Sequence, residues 1–156
     1  MHMRFHPIPS ETARAYRNGA PDAYGNLPER MICDSPGNPC RHCLGHITQG
    51  TEMLVLAHSP FGVRQPYAET GPIFLCPDDC TRYDPARGVP PIYDDRAMLI
   101  RAYGADERIL YGTGAVVAPG TLAAECAARL TADNVAFVHV RSATNNCFHM
   151  RIERAD

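Results

Sequence analysis

Val135-Ala136-Phe137-Val138-His139-Val140-Arg141, followed by Ser142-Ala143-Thr144-Asn145-Asn146 and then Cys147-Phe148-His149-Met150-Arg151-Ile152, is the stretch that decides how the chain folds. In both outer segments apolar and polar side chains alternate with a period of two, as a strand demands because successive Cβ atoms point to opposite faces. Ala136, Val138 and Val140 share one face of the first strand, and Phe137, His139 and Arg141 share the other. In the second strand Phe148, Met150 and Ile152 form the apolar face, opposite Cys147, His149 and Arg151. The residues between suit a hairpin loop. Pairing Arg141 with Cys147 sets His139 against His149 and Phe137 against Arg151, with both apolar sets on one side. Residues 135–141 and 147–153 therefore read as an antiparallel hairpin.

Working outward, residues 98–103 and 108–111 flank Gly104-Ala105-Asp106, which signals a second hairpin. Leu122, Cys126 and Leu130 recur every fourth residue of an alanine-rich segment and form one face of an amphipathic helix ending near Asp133-Asn134. The apolar run 53–57, bounded by Gly50 and Pro60, reads as a strand buried on both faces, with 73–76 as its partner. Residues 4–6 and 30–34 add short strands. Ser10 is placed to cap a short helix over 10–16 that Gly19 stops. Fourteen prolines and twelve glycines imply long, punctuated loops, one of them over 59–71. Strands joined mainly by tight turns, with few and short helices, predict an α+β fold on a largely antiparallel sheet, in a single domain over residues 1–156.

Composition narrows the chemistry. All 15 cationic side chains are arginine, and none is lysine. There is thus no Schiff-base lysine, no pyridoxal-phosphate anchor and no Walker-type or kinase-type phosphate lysine. The formal charge of -2 provides no basic excess for nucleic acid. The first residues lack the apolar core of a secretory signal, and the uncharged stretch 109–124 is broken by Gly112, Gly114, Pro119 and Gly120, so no membrane span is expected. These features predict a soluble, cytoplasmic protein. In a reducing compartment seven cysteines are better metal ligands, core residues or reactive thiols than a disulfide framework.

Cys40-Arg41-His42-Cys43 is a metal knuckle, since two intervening residues let both sulfurs converge on one tetrahedral ion while backbone amides face them. Cys76-Pro77-Asp78-Asp79-Cys80 is a second, wider pair. A strand leaving the first pair and an antiparallel partner ending at Cys76 would bring all four thiols together. Zinc held by Cys40, Cys43, Cys76 and Cys80 is the expected cofactor, closed and structural, with His46 as an alternative or fourth ligand. The competing readings are ordinary buried cysteines and a Cys40–Cys43 redox dithiol, the latter without the βαβ context such motifs need. Cys126 and Cys33 are expected in the core.

The polar face of the last hairpin gathers Cys147, His139, His149, Arg141 and Arg151, with Arg101 and Tyr103 able to join from a neighbouring strand. A thiol beside arginine and histidine should gain thiolate character. Cys147 is therefore a candidate nucleophile, with His149 or His139 as acid/base and Arg141 as clamp. Arg101, Tyr103, Arg151 and Arg41 are candidate ligand-binding residues for a small anion. The bland alternative is a solvated outer sheet face, and a third reading is a protein-interaction module without chemistry.

The succession of Pro39-Cys40-Arg41-His42-Cys43-Leu44, Pro66-Tyr67 with Gly71-Pro72-Ile73-Phe74, Arg101-Ala102-Tyr103 and His139-Val140-Arg141 leading to Cys147-Phe148 resembles the bacterial domain of unknown function 1203 family. The resemblance covers nearly the whole chain. It implies a single-domain bacterial protein in which the Cys40-Arg41 element and the C-terminal His-to-Cys element are family features, and it implies no activity.

Overall fold

Eight strands form two antiparallel sheets, described over residues 1–156 of a computed structural model. The elements are β1 (Met3–His6), α1 (Ser10–Arg17), β2 (Glu29–Ile32), β3 (Glu52–His58), β4 (Gly71–Leu75), α2 (Pro91–Asp94), β5 (Met98–Tyr103), β6 (Ala115–Val117), α3 (Leu122–Leu130), β7 (Phe137–Ser142) and β8 (Phe148–Arg154). The larger sheet has the order β1-β8-β7-β5-β6 and the smaller β2-β3-β4. The fold is α+β, as the alternation of the C-terminal hairpin implied. No helix is long and apolar enough to cross a membrane.

The hairpin forms in a different register from the predicted one. Val138 pairs with Ile152, His139 with Arg151 and Val140 with Met150, and the ladder then jumps so that Arg141 faces Phe148. His139 therefore lies opposite Arg151 and not His149. The loop sets this: Ser142 N–H donates to the Cys147 carbonyl, and Asn146, at φ +58°, donates back to the Ser142 carbonyl. Asparagine tolerates this left-handed conformation. His149 is left as the extra residue of a bulge, and a bulge re-aims the side chains beside it. Phe148 consequently joins the face of His139, its ring 4.9 Å from that imidazole, instead of the Met150 face.

The faces of the larger sheet meet different partners. On one, Leu122, Cys126 and Leu130 of α3 close over Ile100, Ala102, Val138, Val140, Met150 and Ile152. The helical spacing of those three residues is what permits this packing. On the other, β4 lies against β8, and Phe148 enters a second core with Leu54, Leu56, Ile73, Leu75 and Ala13 of α1. The face predicted to be polar is thus covered, and His139 and Arg141 are 0% and 3% exposed. A solvated outer face does not form there.

Two local expectations are corrected. Residues 108–111 make no strand; Leu110 N–H bonds to the Ala102 carbonyl, Thr113 Oγ1 accepts from Ala102 N–H, and the β5 edge pairs instead with β6. Ser10 does not cap α1 with its side chain, because its Oγ lies 2.8 Å from His42 Nε2 and is engaged there. Replacing Leu122 by alanine should cost about 2–5 kcal/mol by opening a cavity in the α3 core. Urea unfolding would measure it, and an unchanged midpoint would show that α3 is not packed as described.

Candidate functional site

Antiparallel pairing of β3 with β4 carries the second cysteine pair back to the first. β3 departs after the Cys40–Cys43 turn, and β4 ends one residue before Cys76, with Leu54 opposite Leu75. The sulfurs of Cys40, Cys43, Cys76 and Cys80 lie within 4.8 Å of one another, and all seven cysteines are unbridged. Cys40 and Cys80 sulfurs are 3.9 Å apart. A tetrahedral ion with metal–sulfur bonds of about 2.3 Å has sulfur–sulfur edges of about 3.8 Å, so the donor set fits such an ion. His46 lies outside the cluster, its Nε2 3.4 Å from Arg96 Nη2.

The knuckle is built by backbone geometry. The amides of His42 and Cys76 each donate to Cys40 Sγ at 3.4 Å. Leu44, at φ +52°, turns the chain so that its N–H reaches the Cys40 carbonyl while its side chain enters the α3 core at 2% exposure. That conformation costs a non-glycine residue on the order of 1–2 kcal/mol, which burial of a leucine offsets. Around Cys80 two side chains converge: Arg17 Nη2 donates to its sulfur at 3.1 Å, and His42 Nδ1 lies at 3.1 Å. Ser10 Oγ holds the other His42 nitrogen, and Arg17 Nε donates to the Cys76 carbonyl. Helix α1 is thereby docked on the cluster by Ser10 and Arg17. Hydrogen bonds from the neighbouring thiols, first Cys40, hold Cys80 well below the ordinary thiol value, with His42 adding to the effect. Contacts to the Cys43 and Cys76 thiols likewise bring Cys40 down to about 6. The same contacts push the Cys43 and Cys76 thiols up, while the Arg17 and amide donors orient the sulfurs.

The polar residues of the larger sheet separate into groups. Glu69 bridges Arg101 and Arg141: one carboxylate oxygen takes Arg101 Nη2, and the other lies 2.9 Å from Arg141 Nη1. Arg101 also donates to the Tyr103 hydroxyl at 2.9 Å. Arg141 Nε and Nη2 are enclosed without a partner. Arg151 pairs with Glu153 and covers the Phe137 ring at 3.7 Å. Arg141 and Arg151 line different cavities, so the arginines of this face do not share one concavity.

His139 is enclosed by the rings of Tyr103, Phe137, Phe148 and Phe61 at 4.8–5.1 Å, and neither ring nitrogen has a hydrogen-bond partner. Burial, then the charges of Arg141, Arg151 and Arg101, pushes its pKa well below the ordinary value. His149 stands apart with its Nδ1 3.0 Å from the Tyr93 hydroxyl. Cys147, half-buried, directs its sulfur at the Asn145 carbonyl 3.7 Å away and makes no hydrogen bond to either histidine. With Arg141, Glu69 and His58 it lines a cavity of about 200 Å³.

Arg41 is 2% exposed and spans the sheets. Nε donates to the Phe148 carbonyl at 2.6 Å, Nη1 to the Pro39 carbonyl at 2.7 Å, and the guanidinium lies over the Phe74 ring. It pairs with no carboxylate. Sequence reasoning missed Glu69, Arg17, Ser10 and His42 as functional neighbours. His42 lies inside the recognised knuckle and Glu69 inside a long loop, but alternation and spacing carry no signal for contacts between residues so far apart in the chain.

A family model described as protein of unknown function (DUF1203) matches residues 37–154. No curated protein and no solved structure matches the chain.

Two consequences can be measured. Burial, helped by nearby arginines, lowers the pKa of His58 to about 4 and those of His139 and His149 well below 6.5. The unfolded chain binds protons that the folded chain refuses, so stability from these rings is present above 6.5 and falls as pH drops below it. In urea titrations, His139→Phe should remove about one proton from this dependence, about 1.4 kcal/mol per pH unit. A slope identical to the parent's would refute the enclosure. Glu69→Ala should destabilise by about 1–3 kcal/mol by stranding the Arg141 charge, a range discounted because Glu69 is partly exposed. Thermal unfolding should show the loss, and an unchanged Tm would mean the bridge contributes nothing.

Proposed function

The chain belongs to the DUF1203 family, and on that premise we propose that it is a zinc-stabilised α+β binding domain for a small anionic ligand, acting as a single domain in the bacterial cytoplasm. The observation that carries this reading is the convergence of four cysteine sulfurs within 4.8 Å of one another. Four thiolates without an open position favour a closed, structural ion, and soft sulfur donors in a tetrahedron suit zinc. Such an ion carries a net charge of about -2 with its thiolates, which the Arg17 donor at Cys80 helps compensate. A reducing compartment keeps these thiols free for metal.

The ion would join the turn before β3, the end of β4 and, through Ser10 and Arg17, helix α1. Structural zinc contributes folding free energy directly. Protein purified without chelator should contain one equivalent of zinc, and Cys43→Ser and Cys76→Ser should each lose most of it together with a large drop in Tm. Less than about a tenth of an equivalent, with all cysteines open to thiol reagents, would overturn the zinc reading.

A further inference from the structure

Around Cys147 the buried Arg141 and the part-buried Arg101 and Arg151 each have an acid beside them, and one buried arginine does not. Arg101 and Arg141 share Glu69, and Arg151 has Glu153. Arg41 is the exception: it is 98% enclosed, its bonds go to neutral carbonyls, and Nη2 has no partner in the chain. The nearest opposite charge is that of the thiolate cluster at Cys40, which takes no hydrogen bond from the guanidinium, so a buried donor is left that an anion would satisfy.

The guanidinium borders a cavity of about 410 Å³ between the first knuckle and the β7–β8 loop. None of its fourteen lining residues is aspartate or glutamate. Arg96 is the second cation in the lining; its Nε is enclosed without a hydrogen-bond partner, and its nearest carboxylate, Asp95, lies 3.8 Å away at the exposed rim. His149 supplies a third donor. The Tyr93 hydroxyl has no acceptor other than His149 Nδ1, so it donates there and the imidazole proton resides on Nε2, which is unbonded. Phe74 and Met98 give the cavity an apolar wall, and Cys147 stands at its edge.

Resting on the anion-binding reading above, we propose that this cavity is the ligand site, and that Arg41, Arg96 and Nε2 of His149 hold the oxyanion group, phosphate or carboxylate, of a small molecule whose apolar part lies against Phe74 and Met98. The planar fork of arginine suits two-point contact with either oxyanion. Arg41 belongs to the Cys40–Cys43 turn, so the cluster that shapes that turn also positions the cation.

The test uses the full, zinc-loaded chain, with inorganic phosphate and succinate titrated separately at constant ionic strength. At least one should bind saturably, shift the His149 ring resonances and slow alkylation of Cys147 by iodoacetamide. Arg96→Gln should weaken that binding about tenfold with zinc content and Tm unchanged, and Arg41→Met should abolish it. Because Arg41→Met also removes contacts between the sheets, Arg96→Gln and the Cys147 protection decide the matter if that variant fails to fold. Failure of both anions to saturate overturns the site while leaving the zinc reading intact. Saturable binding that Arg96→Gln leaves unchanged moves the ligand elsewhere and overturns this assignment alone. Equal binding by a folded, zinc-free chain would overturn the zinc reading and spare the site.

Discussion

The buried guanidinium of Arg41 is the constraint on which the two halves of the molecule depend. Its side chain reaches from the cysteine knuckle to the Phe148 carbonyl on β8 and rests on Phe74 of β4. Its backbone N–H bonds to the Phe74 carbonyl, and its carbonyl accepts from Ile8, just before α1. One residue therefore touches the smaller sheet, the larger sheet and the segment that leads into α1. A lysine could not do this, since an ammonium has no planar fork to serve two carbonyls while stacking on a ring. The absence of lysine from the chain acquires one specific meaning at this position.

The bulge beside it follows from the same junction. Arg41 holds the carbonyl of Phe148, and the extra residue at His149 turns the Phe148 ring toward the second core. That ring then closes one side of the aromatic enclosure around His139, leaving a neutral imidazole in a site where charge would be costly. His149 faces away, tied to Tyr93. Continued without the extra residue, the pairing of Val138 with Ile152 would have set His149 against Arg141 on the face of His139; the bulge turns it off that face and divides the polar set.

Much of the architecture was legible. Alternation identified the C-terminal strands, four-residue spacing identified α3, and the bounded apolar run identified β3, because each is a local periodicity of the backbone. The four thiols were legible for a similar reason: short spacing within each pair, and a hairpin long enough to bring the pairs together. The failures lay in the choice of partner. The segment at 108–111 looked like a strand, yet bonds from Leu110 and to Thr113 at Ala102 leave the β5 edge to β6, and Ser10 looked like a cap, yet its hydroxyl serves His42. The first turns on competition between adjacent segments, the second on a residue remote in the chain.

By itself the sequence determined the α+β class, the antiparallel pairing of β3 with β4 and of β7 with β8, and the identity of the converging cysteines, because periodicity and close spacing act within a few residues. Tertiary structure alone decided the hairpin register, the covering of the face that carries His139 and Arg141, and the carboxylate that the buried Arg141 has and the buried Arg41 lacks. The physical reason is that burial and charge pairing are relations between distant segments. Glu69 acquires its two arginines, and Arg41 its solitude, only once the two sheets are stacked.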